Sequence, residues 1–227
     1  VHITATADGG SFTQNISLSD VTISNVSKGG VVISASADEA GTLDQGIDIT
    51  NLDIASTDTP FSISAKADHN ATLQQSLTAD HLSVGVGASN NLGFYASAHN
   101  GGALSQTFAL SHVTADNAPA DGVYMYVSSD SGATAIQKVS INSLSAKHSG
   151  LDGVGEILDV GGAGSVGAQY LTLIDAALEH SGRNGVYASA ISHDQAVARQ
   201  DVYVSGANVS HAGTDGIEVY SAAFDGA

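Results

Sequence analysis

Seven glutamines, Gln14, Gln45, Gln75, Gln106, Gln137, Gln169 and Gln200, follow one another at intervals of 31, 30, 31, 31, 32 and 31 residues along a chain of 227. A fixed period of this size marks a stacked-repeat architecture, in which each unit buries its apolar face only against its neighbours. The residues after each glutamine keep the same time. Gln14-Asn-Ile-Ser-Leu, Gln45-Gly-Ile-Asp-Ile, Gln137-Lys-Val-Ser-Ile, Gln169-Tyr-Leu-Thr-Leu and Gln200-Asp-Val-Tyr-Val place apolar side chains two and four positions beyond the amide. That alternation is a β-strand with one buried face. After a short break a second apolar pair arrives, at Val21/Ile23, Leu52/Ile54, Leu82/Val84, Val113/Ala115, Leu144/Ala146 and Ala207/Val209. A polar turn follows, ending in Asp121-Gly122, Asp152-Gly153, Asn184-Gly185 or Asp215-Gly216. Asn-Gly and Asp-Gly favour positive φ, so the turn is expected there. A third strand opens after it, as in Val31-Val-Ile-Ser-Ala and Val123-Tyr-Met-Tyr-Val.

Three short strands per unit and no helical period predict an all-β fold. The expected architecture is a right-handed parallel β-helix, a β-solenoid of about seven coils of roughly 31 residues, with residues 1–227 as a single solenoid. Equivalent positions would stack at about 4.8 Å, the strand spacing. Both the first and the last residues fall inside a repeat, so the chain reads as a piece of a longer array.

The run Asn208-Val-Ser-His-Ala-Gly-Thr-Asp-Gly-Ile-Glu-Val resembles the strand–turn–strand pattern of right-handed parallel β-helix proteins, the pectate-lyase-like superfamily. That group includes lyases, phage tailspikes and the passenger regions of bacterial autotransporters. Few Lys and Arg, no Cys, and abundant Ala, Gly, Ser and Thr make the chain closest in character to bacterial surface adhesin and autotransporter passenger repeats. The resemblance implies a structural or adhesive segment of an acidic protein, secreted or on the bacterial cell surface. Such a segment acts as a rigid stalk and presents a sheet face to glycans, proteins or copies of itself. It also implies two alternatives, a polysaccharide lyase, hydrolase or tailspike-like depolymerase, and a self-assembling matrix or filament subunit. Those enzymes need an Arg or Lys base with acidic metal ligands, or clustered aspartates. The two arginines, Arg183 and Arg199, stand beside no such cluster, so the chain is expected not to be an enzyme and no catalytic residue is assigned.

Charge narrows the partners. Twenty-three acidic residues against 6 basic give a net charge of -17, a field that repels nucleic acid. No run of about 18 apolar residues is present, so no membrane insertion is expected. The expected partners are a glycan or protein surface, or another copy bound end to end.

Four residue rows remain. The glutamines share strand parity with the buried residues, so their amides are expected inside, each donating to one neighbour and accepting from the next as a structural ladder. Asp8, Asp38, Asp68, Asp130 and Asp194 recur in the loop before the glutamine. Each caps a turn, or, since hard oxygen ligands in acidic loops suit it, the row holds calcium, the one candidate cofactor. Tyr95, Tyr124, Tyr126, Tyr187 and Tyr220 have the opposite parity. They are expected outward as a ligand-binding face for sugar rings or a partner. His148, His180 and His211 keep register beside a turn, with Asp152, Asn184 and Asp215 four residues on. A packed stack is the plain expectation for them, and a metal or acid–base site the sharper one.

Overall fold

A computed structural model describes residues 1–24, 29–55, 60–85 and 89–224. Two sheets make up the fold, and all pairing in both is parallel. Eight short strands form the first: His2–Asp8, Val31–Asp38, Phe61–Ala67, Leu92–Ala98, Val123–Ser129, Val154–Val160, Val186–His193 and Ile217–Phe224. Seven longer strands form the second: Ser11–Ser24, Thr42–Ala55, Thr72–Val84, Ala103–Thr114, Thr134–Ser145, Val166–Glu179 and Val197–Ser205. Asn208–Ser210 completes the last coil against Glu179 and its neighbours. Within each sheet a strand pairs with its own equivalents one repeat before and one after, position for position. Gln14 thus opposes Gln45, Gln45 opposes Gln75, and so on to Gln200. The chain is a parallel β-solenoid of about seven turns.

Where three short strands per coil were expected, the first, which carries the glutamine, and the second are one long strand bent at a single residue. Asp20, Asn51, His81, His112, Ser143, Asp175 and Gly206 each adopt φ between 52 and 66° at that bend. Pairing skips the residue and resumes beyond it, Ser19 with Thr50 and then Val21 with Leu52. One left-handed residue therefore turns the strand and flips its parity, so that Leu18 and Val21 both point inward. Asp, Asn and Gly tolerate this conformation best, which accounts for most of the row.

The Asp-Gly turn also differs from expectation. Its left-handed residues are Asn117, His148, His180 and His211, not the Asp, Asn or Gly. The glycines serve a different need, close approach between coils. A Cβ on Gly153 would lie 2.7 Å from the carbonyl oxygen of Gly185, and one on Gly185 2.6 Å from that of Gly216.

Inside, the glutamine row divides the interior in two. On one side lie Ile33, Ile49, Leu52, Phe61, Phe94, Phe108, Leu173 and their neighbours. On the other, where short strands run into the next turn, the space narrows and alanines fill it, Ala35, Ala37, Ala65, Ala67, Ala96 and Ala98 among them. Each fully buried Leu, Ile or Phe contributes about 1.5–3 kcal/mol. The dividing row satisfies itself: Gln45 donates to Gln14 at 2.7 Å, Gln75 to Gln45 at 2.6 Å, Gln106 to Gln75 at 2.7 Å, and Gln137 to Gln106 at 2.7 Å. Gln169 and Gln200 extend the row at 3.1 and 3.4 Å. The expected amide ladder is present over all seven coils.

One inward position breaks the pattern. Ile3, Ile33, Ile63, Phe94, Met125, Glu156, Ala188 and Val219 form a single row. Glu156 is fully buried in it, with neither carboxyl oxygen partnered among the described residues. Burial pushes its carboxyl up to about 8.

Candidate binding face

The outward side of the short-strand sheet carries the tyrosines. Strand parity sends them there, since the residues between them, Phe94, Ala96, Val123, Met125 and Val127, fill the core. Register sorts them into two neighbouring rows. Tyr124 and Tyr187 share one with Gly93, Gly155 and Glu218. Tyr95, Tyr126 and Tyr220 share the next with Ile157 and Ser189. Gly93, not Tyr95, holds the place of Tyr124 in its coil. The substitution has a use, because the ring of Tyr95 folds over Gly93, whose Cβ would meet it at 2.7 Å. Tyr95 and Tyr124 then pack at 5.8 Å between ring centres, tilted by 54°. Such contacts add about 0.5–1.5 kcal/mol to simple burial. Burial pushes the Tyr124 hydroxyl up to about 12 and raises Tyr95 and Tyr126 as well. All three stay neutral donors through the physiological range. Tyr220 is the most exposed of the five.

A polar ladder borders this face. Asn90, Asp121, Asp152, Asn184 and Asp215 stack at the turn entering each short strand, and each side-chain oxygen accepts the backbone N–H of the next member. The distances are 3.0, 2.9, 2.9 and 3.1 Å. Arg183 closes over it, donating from Nε to Asp152 at 3.2 Å and through Nη2 to the other carboxylate oxygen. Its guanidinium lies 5.2 Å from the centre of the Tyr187 ring. Among the described residues no cation pairs directly with Asp121, since Arg183 is turned to Asp152. Burial pushes the Asp121 carboxyl up to about 6, against the pull of the Asp152 N–H, and it lies against Gly155, where a Cβ would come within 3.4 Å. The face therefore joins half-buried aromatic rings to an edge of one buried carboxyl, one ion pair, two amides and the exposed carboxylate of Asp215.

The aspartates named from the sequence lie at the opposite end of the short strands. Asp8, Asp38 and Asp68 are in register. His99 takes the next place, Asp130 the one after, and Asp194 stands one residue further along its turn than this row, after His193. Three of the five carboxylates are already engaged. Asp38 accepts the Glu39 N–H at 2.8 Å and meets His69 Nδ1 at 2.8 Å. Asp68 accepts the Asn100 amide at 2.8 Å and faces Lys66 at 3.0 Å; the Asn100 bond foremost holds it down at about 2. Asp130 meets His99 Nδ1 at 2.9 Å. Among the described residues no three of the five bring ligand atoms together.

The histidines form two piles rather than one. His148, His180 and His211 stack at 5.0 and 4.5 Å, with interplanar angles of 10 and 0°. His81 and His112 form the other at 4.5 Å, on the strand bend. Sequence reasoning missed this pair. The signal was a constant offset, since both stand six residues after a glutamine, as do Asp20, Asn51, Ser143 and Asp175.

No protein-family model, curated protein or solved structure matches the chain.

Proposed function

We propose that the chain is a rigid, acidic spacer of a secreted or cell-surface protein that adheres to neutral glycans through its tyrosine face. The observation that carries this is the arrangement of Tyr95, Tyr124, Tyr126 and Tyr187 on two adjacent outward rows of one sheet. Flat aromatic surfaces pack against the C–H faces of sugar rings, and ordered hydroxyls orient them. The bordering Asp152–Arg183 pair and the Asn184 amide supply polar groups for sugar hydroxyls. A net charge of -17 disfavours anionic polymers as ligands. Support for the spacer role is that the repeats satisfy their own polar rows along the axis, as rigid solenoids do.

The test is a neutral-glycan array followed by calorimetry on the best ligand. Replacing Tyr124 and Tyr126 together by Ala is expected to weaken binding at least ~10-fold, whereas Phe at both sites keeps most of it. Circular dichroism checks that the strands persist. No binding by the intact chain, or equal binding by the Ala pair, overturns the reading. Contact with a protein surface or another copy would then stand instead.

One observation favours the rival, a polysaccharide-cleaving enzyme. Asp121, raised to about 6, sits directly below Asp152 on the same edge, and a carboxyl raised by burial beside a second carboxyl is the arrangement an acid–base pair uses. Release of new reducing or unsaturated ends from a polysaccharide panel, lost in Asp121→Asn, would establish it.

A further inference from the structure

We propose that Asp80, His81 and His112 form a binding site for a divalent transition-metal ion of the zinc type, spanning two successive coils at the strand bend. The site is separate from the tyrosine face and does not depend on it.

The geometry begins with the backbone. The strand bend demands φ near +55° in every coil, and His81 and His112 adopt 57 and 52° there. The neighbouring coils meet this demand with Asn51 below and Ser143 above. Stacked left-handed histidines on adjacent coils place two imidazoles on one spot of the surface, 4.5 Å apart and within 18° of parallel. Asp80 sits just before the bend and turns its carboxylate to both. His81 Nδ1 lies 3.0 Å from Oδ2, and His112 Nδ1 lies 2.8 Å from Oδ1. Ser111 also donates to Oδ1 at 2.7 Å, which fixes the carboxylate. One ligand atom from each of the three side chains falls within 4.8 Å of the others, and among the described residues this is the group of His and acidic side chains that meets that condition.

Chemistry then selects the ion. Zinc bonds of about 2.0–2.1 Å to imidazole nitrogen and carboxylate oxygen put tetrahedral ligand atoms about 3.3 Å apart. The two nitrogen–oxygen separations, one to each carboxylate oxygen, are already slightly shorter than that, so a small turn of the carboxylate and the rings brings one atom of each side chain onto a shared ion. The rings are 58 and 57% exposed, so their adjustment meets little packing resistance. Two imidazoles with one carboxylate suit Zn²⁺, Co²⁺, Ni²⁺ and Cu²⁺, while Ca²⁺ and Mg²⁺ require a shell of oxygens. The solvent side leaves room for a water as fourth ligand. The bound ion replaces two histidine–carboxylate hydrogen bonds and fastens residue 81 to residue 112, so it links consecutive coils across the surface. Lys147 lines the same shallow depression with Asp175, but its ammonium is turned to Glu179 at 3.5 Å.

Calorimetric titration of the metal-stripped chain with ZnCl2 tests this, with Co²⁺ as a second probe because its visible absorption reports a four-coordinate nitrogen–oxygen shell. The expected result is one ion per chain, no response to CaCl2, and binding weakened at least ~10-fold by His81→Asn or by His112→Asn. Asparagine occupies the same bend at Asn51, so the backbone tolerates both variants. The control is His180→Asn, in the other stack, which is expected to bind normally. Absence of zinc binding, or binding unchanged in the His81→Asn/His112→Asn double variant, overturns the proposal.

Discussion

Glu156→Met is expected to melt well above the parent chain at pH 7, and most of the advantage is expected to fade by pH 4, where only the cost of the buried neutral carboxyl remains. The interior row that includes Glu156 is otherwise apolar, and Met125 already fills the equivalent place one coil below. In the folded chain the carboxyl stays protonated up to about 8, against an ordinary value of 4.5. The unfolded chain therefore releases its proton at lower pH than the folded one, and folding must retain a proton that solvent would take. Stability is fully present below about pH 4.5 and declines as pH climbs toward 8, the direction required for an acid with a raised folded-state value. At pH 7 the loss amounts to about 3 kcal/mol, at 1.36 kcal/mol per pH unit. At about 2–4 °C per kcal/mol for a chain of this size, the Met variant gains roughly 6–12 °C. Thermal melts at pH 4, 5.5, 7 and 8 measure it. Glu156→Gln removes the charge and leaves a buried unpaired amide, so it should flatten the pH profile with a smaller gain. Parallel pH profiles for the parent and Met chains would show that the carboxyl has found a partner.

Asp121 adds to the same slope, because its raised value also weakens folding as pH rises from about 4 to about 6. Asp38 and Asp68 act oppositely. Their depressed values stabilise the fold above the ordinary carboxylate range, and that support fades as pH falls through them. The chain is thus expected to be most stable in mildly acidic solution.

Gln106→Leu is the second large effect, and here stability falls. The Gln106 amide donates to Gln75 at 2.7 Å and to the Tyr95 carbonyl at 3.0 Å, and accepts from Gln137 at 2.7 Å. Leucine leaves the buried amides of Gln75 and Gln137 unmatched and removes the bond to the part-buried Tyr95 carbonyl. At about 1–3 kcal/mol for each orphaned group, less the apolar gain, the cost is about 3–5 kcal/mol. Gln14→Leu, at a half-buried position with a single ladder bond, should cost about 1 kcal/mol. The Gln75→Leu/Gln106→Leu double variant is the sharper measurement. Both removed side chains share one bond, so the pair should cost clearly less than the sum of the singles. Strict additivity in urea titrations would mean that the amides act independently.

Period and parity carried most of this architecture in plain sight. The glutamine spacing set the register, and alternation around it separated inward from outward residues, including all five tyrosines. Residue identity misled where register, not type, decides. Asp194 joined the aspartate row on paper because it is an aspartate in the right loop, yet hydrogen-bonded pairing aligns His193 with that row. Asp194 stands six residues before its glutamine, as the in-register Asp8 does, whereas Asp38, Asp68 and Asp130 stand seven before theirs, so spacing alone does not expose the shift. Asp-Gly and Asn-Gly read as positive-φ turns, since those pairs usually are; here the side chains stack as acceptors for the next coil's N–H, a role that needs three-dimensional neighbours to recognise. His81 and His112 escaped notice because a single residue at a bend has no pattern of its own. The offset from the glutamine reveals it only when all seven coils are laid side by side.

Every amide in the glutamine row donates toward the lower-numbered end. Their dipoles add, and the interior acquires an arrow. Tandem duplication of a unit preserves that arrow, whereas joining two such rods nose to nose would set N–H against N–H. Growth of this molecule, in evolution or by engineering, is therefore confined to one sense, head to tail.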